Sequence, residues 1–281
     1  MNVRFAFESA MLLSAKRANH QMGNTSLSNE FVKIWQIDLN VPTHPWPDCL
    51  GWLDHEEQER YHRLKHRHDA RRFAAAHVAL REILAGCLLI EPWDVKLAYS
   101  RWRRPYVLGG PLFSMSRSGD LALVAVSHQP LLGVDVECLD QAVEWSWLET
   151  IWSPAEWRRL RTRTNAPELL LRLWVRKEAA VKALGLGLAH PLSQVVVPLS
   201  GQTGPNGARL WLRNEHGSHC WHVYDLPTKV GFIGSIVTAR PVAPESLAVH
   251  GFPAAGDWSG AVTKSTGSFV APQHPGSTAR A

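Results

Sequence analysis

The chain has 281 residues, of which 45% are hydrophobic, and its 30 Lys and Arg against 25 Asp and Glu give a formal net charge of +5. This hydrophobic content is enough for a sizeable buried core, built as one large domain or as two lobes. No apolar run approaches the ~20 residues that a membrane-spanning helix needs. The mild positive charge suits an anionic ligand or an acidic partner, and it does not require nucleic acid.

The four cysteines indicate a reducing compartment. They lie far apart and form no C-x-x-C pair (Cys49, Cys87, Cys138 and Cys220). The sequence therefore predicts neither a disulfide framework nor a cysteine zinc site. An apolar patch near the N-terminus is interrupted by Glu8, which is not the pattern of a secretory signal. We expect a cytoplasmic protein with no membrane association.

From residue 31 onward, predicted strands and helices alternate. Residues 1–30 have no clean period, which predicts a flexible N-terminal extension. Residues 31–39 are enriched in Val and Ile, as in a strand, and residues 52–88 carry apolar positions at helical spacing, which predicts one or two helices. The next three predicted strands, joined by short turns, are 112–116, 121–127 and 131–137.

The second half of the chain begins with a clear helix-start signal. In Ser153-Pro154-Ala155-Glu156, Ser can cap the helix, Pro fits its first position and Glu stands at the capping-box position. A longer helix is predicted at 166–184, and Gly185 ends it. The predicted strands that follow are 195–198, 208–212, 220–225 and 230–238. Residues 241–281, rich in Gly, Pro, Ser and Thr, are predicted to be a disordered tail.

No internal sequence repeat is evident, and the predicted class is α+β with mostly antiparallel strands.

The first candidate for chemistry is Gly133-Val134-Asp135-Val136-Glu137. Residues two apart on a strand point to the same face, so Asp135 and Glu137 project side by side. Adjacent carboxylates repel unless a cation lies between them, and hard oxygen ligands suit Mg²⁺. A solvated pair on an edge strand has the same pattern, so the motif alone leaves both interpretations open.

The second candidate is Glu178 with Lys182, which share one face of the predicted helix because they are four residues apart. An ordinary surface ion pair has this spacing too. In the functional interpretation, Glu178 is a metal ligand or a base and Lys182 holds a phosphate. Gly185 and Gly187 then allow the chain to leave the helix abruptly.

Two further segments could bind an anion. Residues 52–88 are rich in arginine, which usually marks a solvated face, although a few arginines could bind a phosphate bidentately. His62 and His66 are four apart and could hold a metal, but the cations around them oppose another positive ion. The segment Phe113–Ser118 offers hydroxyls, backbone N–H groups and an arginine to an anion.

Taken together, in this order and spacing, the segments resemble the surfactin-type 4′-phosphopantetheinyl transferases. The family's G-[IV]-D-[IV]-E strand is similar to Gly133–Glu137, and its W-x-x-K-E-A-x-x-K-x-x-G-x-G-L helix is similar to Trp174–Leu188. Phe113–Ser118 resembles the family's F-[NS]-[ILM]-S-H-S strand, Arg104-Pro105 its G-K-P turn, and Glu59–Arg72 its basic helix. The resemblance covers roughly residues 31–240.

The resemblance implies transfer of the 4′-phosphopantetheine arm of coenzyme A to a serine of an acyl or peptidyl carrier protein, with release of 3′,5′-ADP. It also implies a monomer with two α+β halves, 31–133 and 134–240, related by a pseudo-twofold axis with the coenzyme between them. The carrier could belong to fatty-acid, polyketide or non-ribosomal-peptide biosynthesis.

The same resemblance implies roles for individual residues. Mg²⁺ would be held by Asp135, Glu137 and Glu178. Glu178 would be the catalytic base, directly or through a metal-bound water, and Lys182 would stabilise phosphoryl charge. The implied contacts to coenzyme A are Arg60, Arg72, Arg104, Pro105, Ser116, Arg117 and Lys182.

Three positions depart from the family pattern. Arg117 replaces the His of S-H-S, and a permanent cation can meet a phosphate but cannot shuttle a proton. The G-K-P turn is Arg103-Arg104-Pro105, which keeps a cation and loses the Gly, and Glu57 stands where some members have a further Lys. Two alternatives remain: a catalytically impaired relative that binds coenzyme A, and a basic binding module without enzymatic activity, which strand carboxylates fit poorly.

Overall fold

A computed structural model describes residues 32–41, 48–129, 131–140, 150–161, 167–185, 191–199, 203–204, 206–214 and 217–252. The predicted N-terminal extension, residues 253–281 of the predicted tail, and Gly187 lie outside these ranges. Within the described ranges, no helix has both the length and the apolar character that crossing a membrane requires.

The described residues form eleven strands and four α-helices. The strands are β1 (Val32–Asp38), β2 (Leu97–Tyr99), β3 (Pro105–Val107), β4 (Leu112–Ser118), β5 (Leu121–Ser127), β6 (Leu132–Cys138), β7 (Val195–Val196), β8 (Ala208–Asn214), β9 (Gly217–Leu226), β10 (Phe232–Thr238) and β11 (Val249–Gly251). The helices are α1 (His55–Arg63), α2 (Arg67–Leu88), α3 (Pro154–Leu160) and α4 (Pro167–Leu184). The helical pattern at 52–88 thus resolves into two helices.

The strands form two main sheets, one in each half of the chain. The first has the order β11-β1-β5-β4 and the second the order β6-β10-β9-β8-β7, while β2 and β3 form a separate hairpin. The pairings within the sheets are antiparallel except that of β1 with β11. The predicted α+β class with mostly antiparallel sheets is confirmed.

Three apolar cores hold these layers together. Helix α2 packs on one face of the first sheet, helix α4 packs on one face of the second, and the remaining faces of the two sheets meet in a core between them. Strand β5 is buried on both faces, which explains why its sequence is a continuous apolar run rather than an alternating one.

Two predicted boundaries are wrong. Residue 133 lies inside β6, and the whole strand pairs with β10 of the second sheet, so the second half includes Leu132 and Gly133. The predicted tail begins too early as well, because β11 pairs with β1 in register Ile34 to Val249. The β1 edge of the first sheet offers backbone hydrogen-bonding groups that this short strand satisfies, a pairing that the tail composition does not reveal.

In the first half, a capping box is tied to a buried arginine. Asp54 Oδ1 accepts from Glu57 N, and Glu57 Oε2 accepts from Asp54 N, both at 2.9 Å. Glu57 also accepts from Arg81 Nη2 at 2.6 Å, and Arg81 Nη1 donates to Val95 O at 2.8 Å. Because Glu57 and Arg81 are both buried, the glutamate that departs from the family pattern anchors α1 to α2.

The second half repeats this arrangement with different residues. Ser153 and Glu156 form the predicted capping box at the start of α3, with Glu156 Oε2 accepting from Ser153 N at 2.8 Å. Lys177 Nζ donates to Glu156 Oε2 at 2.9 Å and to the carbonyl of Val195. Each half therefore has its own buried ion pair between a capping-box glutamate and a cation, although no sequence repeat is evident.

Candidate functional site

Strand β6 and helix α4 pack against each other without intervening side chains at Gly133. A Cβ on this residue would lie 2.0 Å from Ala179 O and 2.4 Å from Ala183 N, so only glycine allows the contact. The apolar residues of β6 enter the core between the sheets. The alternating residues Asp135 and Glu137 consequently face the helix.

Three carboxylates come together where β6 meets α4. Asp135 is buried, and Glu137 and Glu178 are half-buried. Burial, followed by the Asp135 and Glu137 carboxylates, raises the pKa of Glu178 to about 7 against the opposing effect of Lys182. Burial and Asp135 also raise the pKa of Glu137, although Ser118, Lys182 and Trp174 oppose this. Asp135 thus lies within electrostatic reach of both glutamates, and both Asp135 and Glu137 oppose the ionisation of Glu178.

Lys182 is the cation that faces this acidic group. Its Nζ lies 2.6 Å from Asp135 Oδ1 and 2.6 Å from Ser116 Oγ. The Ser116 hydroxyl donates in turn to Asp135 Oδ1 at 2.7 Å. Since Lys182 follows Glu178 by one helical turn, α4 supplies both a carboxylate and its counter-charge to the same face.

The donor atoms fit a hard divalent cation. Asp135 Oδ2 and Glu178 Oε1 are buried and have no hydrogen-bond partner, and such oxygens are the ligands that Mg²⁺ prefers. Within the described part of the chain, no three His, Cys, Asp or Glu side chains are arranged so that they could hold a metal ion as they stand. In this conformation Lys182, rather than a third carboxylate, contacts Asp135.

Strand β4 of the first half reaches the site through serine side chains. Ser114 Oγ accepts from Val134 N at 3.0 Å, and Ser118 Oγ accepts from Cys138 N at 3.0 Å. The Ser118 hydroxyl also donates to Glu137 Oε2 at 2.6 Å. Since both backbone contacts join residues 20 positions apart, β4 and β6 run parallel, and serines bridge the two sheets.

Sequence reasoning missed two residues that touch Glu137. They are Ser118 and Trp174, which both hydrogen-bond to its carboxylate. The spacing of both residues from predicted site residues could have identified them. Trp174 lies one helical turn before Glu178, and Ser118 lies two residues after Ser116 on the same strand.

Two of the predicted coenzyme contacts meet at Phe73. The guanidinium carbons of Arg60 and Arg117 lie 5.2 Å and 5.6 Å from the centre of its ring. Burial, and then the nearby Arg60 cation, lower the pKa of Arg117. An anion between these two cations would relieve their repulsion. Arg72 lies elsewhere, since it donates from Nε and Nη2 to Asn40 Oδ1 at 3.2 Å and 3.1 Å.

Arg104 and Pro105, expected at the nucleotide, lie in the β2–β3 hairpin. Pro105 begins β3 and is half-buried. Arg104 donates from Nη1 to Ala183 O at 2.9 Å and from Nη2 to Leu132 O at 3.1 Å. Its two terminal nitrogens therefore bind protein carbonyls of α4 and β6.

Comparison with known proteins adds independent information. Residues 131–239 match the family model of the 4′-phosphopantetheinyl transferase superfamily. The chain is 33% identical over 186 residues to the 4′-phosphopantetheinyl transferase HetI of Nostoc sp., a match that covers 63% of this chain and 78% of HetI. It is 23% identical over 224 residues to the 4′-phosphopantetheinyl transferase Sfp of Bacillus subtilis, covering 77% of this chain and 96% of Sfp. The 4′-phosphopantetheinyl transferase ffp of Bacillus subtilis is 24% identical over 229 residues, or 79% of this chain and 99% of ffp.

Proposed function

The chain belongs to the 4′-phosphopantetheinyl transferase superfamily and is an enzyme of that type, and on this premise we propose that it transfers the 4′-phosphopantetheine arm of coenzyme A to a serine of an acyl or peptidyl carrier protein. The reaction depends on Mg²⁺ and releases 3′,5′-ADP. The observation that carries the proposal is the pair of unpartnered, buried oxygens, Asp135 Oδ2 and Glu178 Oε1. They lie in a group of three carboxylates whose effect on one another the single charge of Lys182 only partly offsets.

Asp135, Glu137 and Glu178 would hold the metal ion. When bound, Mg²⁺ acts as a Lewis acid on the pyrophosphate of coenzyme A and makes 3′,5′-ADP a better leaving group. Two serines of β4 keep these ligands in place, because the Ser116 hydroxyl donates to Asp135 and the Ser118 hydroxyl donates to Glu137.

Glu178 takes the proton of the carrier serine in this proposal. A carboxylate within reach of the serine hydroxyl can act as the general base for this proton. The serine oxygen bonds to the phosphorus that bears the pantetheine arm. The bond from this phosphorus to the bridging oxygen breaks, and 3′,5′-ADP leaves with the electron pair. Lys182 moves from Asp135 to the phosphoryl oxygens, where negative charge develops.

The first half binds the nucleotide end of the coenzyme. Arg60 and Arg117, which both lie over the ring of Phe73, would receive the 3′-phosphate, because an anion between two neighbouring cations relieves their repulsion. Pro105 and Ser116 would be further contacts, and Arg72 would have to leave Asn40, to which its Nε and Nη2 donate, to join them. The net charge of +5 would steer an acidic carrier protein toward the enzyme.

Intact-mass spectrometry tests this function. An apo carrier protein incubated with the enzyme, coenzyme A and Mg²⁺ should gain about 340 Da, the mass of one phosphopantetheine arm, and EDTA should prevent the gain. Asp135→Asn keeps the size of the side chain and should slow transfer at least 100-fold, as expected for the loss of a metal ligand. Asp140→Asn, at an exposed position just after β6, is the matched control and should transfer at the wild-type rate.

Two results would contradict the proposal. A wild-type enzyme that binds coenzyme A but modifies none of several carrier types would be a catalytically impaired relative. A protein that neither transfers nor binds coenzyme A would be a basic binding module.

A further inference from the structure

We propose that Arg104 is a positioning residue for the carboxylate site, and that it acts by fixing the separation of β6 and α4 rather than by contacting coenzyme A. This inference rests on the proposed function for the reaction that it affects. The two elements that Arg104 joins are those that carry the proposed metal ligands.

The guanidinium binds each element next to its functional residues. Nη1 donates to Ala183 O at 2.9 Å, and Nη2 donates to Leu132 O at 3.1 Å. Ala183 directly follows Lys182, and Leu132 precedes Asp135 by three residues. A guanidinium is planar and rigid, so two carbonyls bound to its two terminal nitrogens are held at a fixed distance. The carbonyl of Ala183, in the last turn of α4, also has no partner within its own helix.

The turn that holds Arg104 is itself fixed. Ser100 N donates to Arg104 O at 2.9 Å, and Arg104 N donates to Ser100 Oγ at 3.2 Å. Arg103 adopts a φ of +64°, a left-handed conformation that is unfavourable for a residue with a Cβ. This is the position at which the family pattern has glycine. The turn therefore keeps its shape at a cost in strain, as expected where the surrounding contacts determine the backbone.

Gly185 provides the space for the guanidinium. It has a φ of +69°, and a Cβ on it would lie 2.8 Å from Arg104 Cδ and 3.0 Å from Nη1. The glycine that ends α4 thus also admits the arginine that binds the last turn of the helix. Burial lowers the pKa of Arg104, in keeping with a cation used inside the protein.

The two possible roles of Arg104 predict different kinetics. Loss of a coenzyme contact would raise the KM for coenzyme A. Loss of a positioning contact would weaken metal binding, and at saturating metal ion it would lower kcat while the KM for coenzyme A stays constant, since Arg60 and Arg117 still hold the nucleotide. Metal binding can be measured without coenzyme or carrier, so this readout does not require transfer activity.

Steady-state kinetics and Mn²⁺ titration of Arg104→Met, Arg104→Lys and Arg103→Gly test the inference. For Arg104→Met we expect kcat to fall about 10- to 100-fold, the KM for coenzyme A to change less than about twofold, and Mn²⁺ affinity to fall about fivefold. Arg104→Lys can satisfy one carbonyl and should recover part of kcat. Arg103→Gly removes the neighbouring cation and its strain, and it should match the wild type.

Each other outcome counts against the inference or against the proposed function. A rise in the KM for coenzyme A at constant kcat would make Arg104 a coenzyme contact, and unchanged kinetics would leave it without a role. If Arg104→Met does not fold by circular dichroism, Gly185→Ala, which pushes a Cβ against the guanidinium, must lower kcat and Mn²⁺ affinity in the same way. A wild type that binds Mn²⁺ but transfers nothing would refute the proposed function alone, because the Mn²⁺ comparison would still decide the role of Arg104.

Discussion

Replacement of Lys182 by Met should tighten metal binding in the absence of coenzyme, although the same change removes a proposed catalytic group. The Lys182 ammonium lies 2.6 Å from Asp135 Oδ1 and from Ser116 Oγ, beside the unpartnered Oδ2 that a metal ion would take. Its positive charge therefore opposes metal binding, and it is expected to move away when the ion enters. Hydrogen bonds to charged groups contribute about 1.5–3 kcal/mol each. Lys182 is 30% exposed and regains hydration when it swings out, which leaves a net cost of about 1.4 kcal/mol, or tenfold in affinity.

Titration with Mn²⁺, followed by the electron paramagnetic resonance of the free ion at constant ionic strength, measures this effect. The dissociation constant of Lys182→Met should be about one tenth of the wild-type value. Lys229→Met is the matched control, because this lysine pairs with Asp38 and Asp120 on the surface. It should bind Mn²⁺ like the wild type.

Equal or weaker Mn²⁺ binding by Lys182→Met would refute the reasoning. It would mean that the ammonium and the metal ion do not compete for Asp135.

Two further predictions concern stability, measured by urea unfolding with circular dichroism. Lys177→Met leaves Glu156 buried without its cation and should lower the free energy of unfolding by about 3–5 kcal/mol. Adding Glu156→Gln to this variant should recover part of the lost stability. If the losses of the two single variants simply add, the two residues are not coupled and the prediction is wrong. Asp225→Asn removes the carboxylate that pairs with the buried Arg176 at 2.7 Å and should cost about 3 kcal/mol at neutral pH. Although burial raises the pKa of Asp225, Arg176 holds it below 3.8, so this carboxylate stabilises the fold above that pH and loses its contribution as the pH falls. The deficit of Asp225→Asn should therefore shrink below about pH 4, and a constant deficit would refute the assignment.

The parts of the fold that sequence predicted are those set by local chemistry. The Ser153 capping box, the alternation of β6 and the helical spacing of Glu178 and Lys182 depend on residues within a few positions of one another. Each of these patterns has a direct physical cause in the geometry of a helix or a strand. The structure accordingly places the carboxylates of β6 opposite α4.

The parts that sequence did not predict depend on distant pairs. Arg104 meets Ala183 across 79 positions, and no local pattern encodes such a contact. Strand β11 also depends on a distant partner. Its composition is that of a tail, and it forms a strand because it pairs with the edge strand β1. The motif predicts a coenzyme contact for Arg104 because this residue is a cation, whereas the carbonyls to which its two terminal nitrogens donate lie too far along the chain to be predicted from the motif.

The repeated buried contact has a consequence for how the two halves divide their work. Glu82 directly follows the buried arginine of α2, as Glu178 follows the buried lysine of α4. Opposite α2, however, β1 contributes Trp35 and Ile37 to an apolar core, where β6 presents carboxylates to α4. Under the proposed function, the second half carries the acidic site and the first half holds the nucleotide end of the coenzyme. That proposal implies one reaction centre per polypeptide, and it implies that the nucleotide contacts of the first half can change without altering the carboxylates of the second.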